Sequence, residues 1–174
     1  LISLRPAGVP LMTARIERKT WTQALELWRP LAQAVQRAHQ RGIVHGGLSP
    51  WTIWYDSEAE RLTAIDVGSW ICESVPEIPE ALSWWAPEFR DVPLRRVPSP
   101  VVDIYGLARL LLFLVLGSEE ASKERPSLTG VPAFAIPMLS RAIDPDPSVR
   151  PGRIEELLSA TSPSLLEAYD DRVR

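Results

Sequence analysis

The stretch that most constrains the fold is "SPVVDIYGLARLLLFLVLG", Ser99 to Gly117. It opens as a helix does, with serine at the capping position and proline in the first turn, and it ends on glycine. Between those signals it is apolar nearly all round. A helix without a polar face belongs in the middle of a domain, where other elements cover every side. Its most apolar part, Leu110 to Leu116, is far short of the roughly 20 residues that a bilayer span needs. A buried central helix is therefore expected, and no membrane span. With 174 residues the chain is long enough to wrap such a helix in one domain with its own core.

The elements that would do the wrapping can be read on either side. From Thr22 to Arg41 the apolar residues Leu25, Trp28, Leu31, Ala32, Val35 and Ala38 recur at helical spacing. Thr20 and Gln23 form a capping-box pattern at the start, and Gly42 stands where a helix usually stops. Pro30 lacks an amide donor and crowds the carbonyl a turn earlier, so a kink or a short helix running into a longer one is expected there. Two strand candidates follow, "TIWYD" (52–56) and "LTAID" (62–66), joined by a polar turn as in a hairpin. Residues 67 to 98 are rich in proline and lack periodicity, so they read as a long loop, ordered by Trp70, Trp84 and Trp85. After Gly117 the sequence predicts a polar loop, a helix around Ala133–Ile143, the turn "DPDPSVRPG" and a helix from Arg153 to Ala160. The fold class is mainly α (α+β), with residues 1–160 as one unit and 161–174 as a tail with a short helix.

Composition closes off several functions. The net charge of −3 carries no electrostatic footprint for nucleic acid, and Arg90, Arg95 and Arg96 read as a solvated basic loop. Cys72 is the only cysteine, so neither an internal disulfide nor a multi-cysteine zinc site can form. A reducing, cytoplasmic setting is the expectation. The opening "LISLRPAGVPL" lacks a secretory signal's basic start and apolar run. His39 and His45 could hold a metal only with carboxylates supplied by the fold, and no metal site is expected.

Five separated stretches then fall in one order and resemble the C-terminal lobe of a eukaryotic-type Ser/Thr protein kinase. "HGGLSPWTI" resembles the catalytic loop HRDLKPxNI at His45, Leu48, Pro50 and Ile53. "DVG" (66–68), with Asp66 and Gly68, resembles the metal-binding DFG after its hairpin. "APE" (86–88) matches the end of the activation segment. "DIYGLA" (103–108) resembles the start of the large central helix, and "DPDPSVRPG" the turn whose arginine, Arg150, pairs with Glu88. The resemblance runs from Leu1 to Ala160, with "LISLRPAGVPL" like the hinge strand and its exit. Nothing resembles the Gly-rich loop or lysine strand of the N-terminal lobe. Because "LISL" reads as the end of a strand, an extension toward the N-terminus is expected.

Set against that family, the departures fall on the chemistry. The aspartate that accepts the substrate hydroxyl's proton is Gly47. The lysine two residues on is Ser49, the asparagine that holds the second magnesium is Thr52, and the arginine that grips a phosphorylated loop is Gly46. The activation-segment threonine is Ala81. What the resemblance retains is architecture: His45 packed beneath the site, Asp103 accepting from the catalytic-loop backbone, and the Glu88–Arg150 ion pair. Asp66 alone keeps a chemical role, as a magnesium ligand, and is read first as a carboxylate capping its own loop. The Asp144 and Asp146 carboxylates read as turn residues. Trp84 is expected to fill the place of a family tyrosine. Trp51, Trp54 and Trp85 are candidates for exposed anchors, though core filling is the expected fate of most tryptophans.

These readings imply a pseudokinase, a module that binds another protein or another part of its own polypeptide and transfers no phosphate. No cofactor is expected. The alternatives are residual binding of ATP and magnesium with an N-terminal lobe outside this chain, or an atypical active kinase. A homodimer through the surface left by the missing lobe is a further expectation.

Overall fold

The computed structural model describes residues 6–65, 83–89, 98–162 and 165. Helix α2, Pro100–Leu116, forms its centre, and every residue from Val102 to Leu114 is buried. Leu107, Leu110, Leu111 and Leu112 are wholly inaccessible, and each such side chain contributes about 1.5–3 kcal/mol of hydrophobic stabilisation. Pro100 sits in the first turn as read, but the Ser99 side chain makes no capping bond; its carbonyl accepts from the Val102 amide instead. Gly117 closes the helix at φ +85°.

Helix α1, Trp21–His39, lies against α2. The Trp28 indole Nε1 donates to the Leu107 carbonyl at 2.8 Å, tying the two helices across the core. The capping box is formed: the Gln23 amide donates to the Thr20 hydroxyl, and the Gln23 side chain accepts from the Thr20 amide. Of the two outcomes expected at Pro30, a division into two helices does not occur; α1 runs through it as one helix. Pro30 and Glu26 are both exposed, so the carbonyl left without its amide partner faces water. Gly42, at φ +73°, then reverses the chain. Its amide donates to His39 O and the next amide, of Ile43, to Ala38 O, the paired bonds of a Schellman stop.

The hairpin consists of β2, Ile53–Asp56, and β3, Arg61–Ala64, antiparallel with Tyr55 opposite Leu62. The Asp56 carboxylate accepts the Glu58 and Ala59 amides and so shapes the turn. The stretch that resembles a hinge strand and its exit supplies a third strand in its exit part, β1 at Val9–Pro10, which pairs antiparallel with β2 in the order β1-β2-β3, while the opening "LISL" lies outside the described residues. A further departure follows α2, where the polar stretch forms a short helix, α3 at Ser118–Ser122, rather than a loop. Helices α4, Ile136–Ala142, and α5, Ile154–Ala160, complete the base. The Glu156 carboxylate accepts the Gly152 and Arg153 amides and starts α5. Among the described residues no helix is long and apolar enough to cross a membrane.

Candidate functional site

The Schellman stop of α1 delivers the chain directly into the loop 43–52, whose residues from His45 to Pro50 are buried. A buried loop must find partners for its backbone amides. Asp103, in the first turn of α2 and wholly inaccessible, supplies them. Its Oδ1 accepts the Gly46 amide at 2.8 Å and its Oδ2 the His45 amide at 2.8 Å. His39, from the end of α1, adds Nε2 at 2.8 Å from the same Oδ2. An ionised carboxylate only accepts, so this ring nitrogen carries the proton.

His45 is oriented by the same logic. Its Nε2 lies 2.9 Å from the Ile65 carbonyl and must donate; Nδ1 then accepts the Gly47 amide at 3.3 Å. Both nitrogens of the ring are engaged in holding the loop.

The three altered loop positions close on one another. Gly47 has no side chain, and its carbonyl accepts the Thr52 hydroxyl at 2.7 Å. That hydroxyl oxygen accepts the Ser49 amide at 3.0 Å. Ser49 is only 2 % exposed, and its Oγ accepts the Trp51 amide at 3.3 Å and lies 3.4 Å from Thr52 Oγ1. The polar side chains at positions 49 and 52 thus serve the loop's own backbone. A neutral hydroxyl already bonded to an amide and a carbonyl does not fit the place of a magnesium ligand. Among the described residues no group of histidine, cysteine and carboxylate side chains could hold a metal ion. Asp66, Gly68 and Ala81, with Trp70, Cys72, Arg90, Arg95 and Arg96, lie outside the described residues.

Below the loop, Pro87–Phe89 forms a short 3-10 turn carrying Glu88. Its carboxylate and the Arg150 guanidinium make a two-pronged pair, Nη1 to Oε1 at 2.7 Å and Nη2 to Oε2 at 2.8 Å. Arg150 also donates to the Asp144 and Pro145 carbonyls and lies over the Tyr105 ring at 4.8 Å. Asp144 and Asp146 do act as turn residues: Asp144 accepts the Asp146 amide, and Asp146 accepts the Ser148 amide and hydroxyl. The Ser148 bonds hold the Asp146 carboxyl below its usual range.

Trp84 is buried and meets Phe113 edge-on at 5.6 Å. Trp51, Trp54 and Trp85 are each partly buried, between the two fates weighed for them, core filling and an exposed anchor. Trp84 and Trp85 share with Gly46, Gly47 and Gly106 the lining of a cavity of about 10 Å³, room for about one water molecule.

Two partnerships at this site went unread in the sequence. His39 was weighed there only as a metal ligand, and nothing signalled its bond to Asp103, because only the fold brings the end of α1 to that residue. Arg109 did give a signal: a charged residue inside a helix apolar on all sides must have buried partners. It is 1 % exposed, donates to the Lys123 and Ser83 carbonyls, and its guanidinium lies 5.5 Å over Trp84 and 5.7 Å over Tyr105.

A central buried helix whose first-turn aspartate holds a His-containing loop, a hairpin after that loop, and a Glu–Arg pair tying the following segment to the base define a protein-kinase-like C-terminal lobe. The comparisons agree. The chain superimposes on the crystal structure of the Mycobacterium tuberculosis PknI kinase domain with a TM-score of 0.63 at 25% identity. A variant of the same domain gives 0.64 at 24% identity. In both, 90% of this chain is covered and 62% of that one. In sequence it is similar to calcium-dependent protein kinase 21 of Oryza sativa subsp. japonica, 26% identical over an alignment 150 residues long that covers 73% of this chain. The match covers 26% of that kinase, so the chain spans about a quarter of its length. No family profile matches.

Proposed function

We propose that the chain is a pseudokinase-like regulatory or protein-interaction module that does not transfer phosphate. The observation that carries this reading is the closed circuit of Gly47, Ser49 and Thr52. Where a kinase needs a carboxylate to orient the alcohol, there is no side chain. Where it needs a cation and a metal ligand, there are two hydroxyls committed to the loop backbone.

The test is phosphate transfer from radiolabelled ATP, with magnesium or manganese, to a generic acceptor protein and to the chain itself. Incorporation at the level of heat-denatured protein is expected. Turnover in the ordinary kinase range of about 1–100 per second would overturn the reading. Where this lobe stands without an N-terminal one, the face such a lobe would cover is a surface for a protein partner or a second copy. Light scattering across a wide concentration range reads out the second case, and a monomer throughout would exclude it.

A further inference from the structure

We draw no further inference here: the strongest candidate, the polar cleft of about 340 Å³ where the end of α1 meets the starts of α2 and α5, is lined by charges of both signs, an exposed Arg153 and a Glu155 carboxylate already held by the Gln36 and Gln40 side chains, so nothing in the structure shows which class of ligand would fill it.

Discussion

Replacing Asp103 by asparagine isolates what holds the loop in place, because the shape is kept while the charge and one acceptor are lost. An asparagine offers a single carbonyl oxygen and an amino group. With its oxygen at the Oδ2 position it keeps the bonds from the His45 amide and His39 Nε2. Its amino group then faces the Gly46 amide, donor against donor, in a site that solvent does not reach. Leaving that amide unpaired costs about 1–3 kcal/mol, and the two surviving bonds lose their charge assistance, about 0.5–1 kcal/mol each. Removing a buried charge returns part of this, so the net loss is about 3 kcal/mol. For a chain of this size that lowers Tm by about 6–12 °C. Differential scanning calorimetry gives the shift, and urea unfolding with an unchanged slope confirms that stability alone has moved. His39→Ala should cost about 1 kcal/mol by itself. The double variant should fall short of the sum, since the two side chains share one bond. A Tm for D103N within about 2 °C of the unmodified chain, or strict additivity with His39→Ala, would refute the assignment of Asp103 as the loop's main anchor.

Glu88→Gln should destabilise by about 2–4 kcal/mol, somewhat less than a fully buried pair, because the Arg150 side chain is inaccessible but that of Glu88 is 23% exposed; urea midpoints report it. Gly106→Ala should cost about 1–3 kcal/mol, since an added Cβ would lie 2.7 Å from Leu48 Cβ and 2.9 Å from Leu48 O, and a backbone oxygen cannot step aside; a Tm equal to that of the unmodified chain would show that α2 can retreat from the loop. Asp146, depressed first by the Ser148 hydroxyl, contributes stability above its ordinary value of 3.8 and loses it as the pH falls through the lowered value. Melting curves of the unmodified chain and Ser148→Ala should therefore differ slightly near neutrality and converge in acid, the difference being small because the carboxylate is exposed to solvent.

The parts of the fold that the sequence made legible are those decided by local chemistry. Thr20 and Gln23 recognise each other within one turn, the β2–β3 register follows from a short polar link, and α2 is apolar whatever surrounds it. The misreadings arise where a distant or external partner decides. Pro30 breaks a helix only if the orphaned carbonyl has nowhere to go, and on an exposed face water takes it. Strand β1 is two residues long and exists because β2, far along the chain, offers an edge. Ser99 occupies the capping position without capping. Position in a motif named His45, Glu88, Asp103 and Arg150, and the fold shows what each touches. His39 belongs to the same hydrogen-bond cluster, yet no spacing rule connects residue 39 to residue 103.

The residues of the site divide by what they act upon. Asp103, His39 and His45 act on backbone amides and a carbonyl of this chain, and a buried loop needs such partners whether or not a substrate arrives. Glu88 and Arg150 hold one another, and loss of either would strand a charge. Their presence is therefore explained by folding alone and carries no weight for or against catalysis. The weight falls on positions 47, 49 and 52, whose family counterparts face outward to alcohol, phosphoryl group and metal. Here the polar groups at 49 and 52 turn inward, each bonded to loop backbone within five residues of itself. Placing a carboxylate at position 47 would add one missing group, but Ser49 and Thr52 would still be spent on the loop, with neither cation nor metal ligand restored. On the proposed reading the loop is a closed structural turn, and what the chain offers other molecules is its surface.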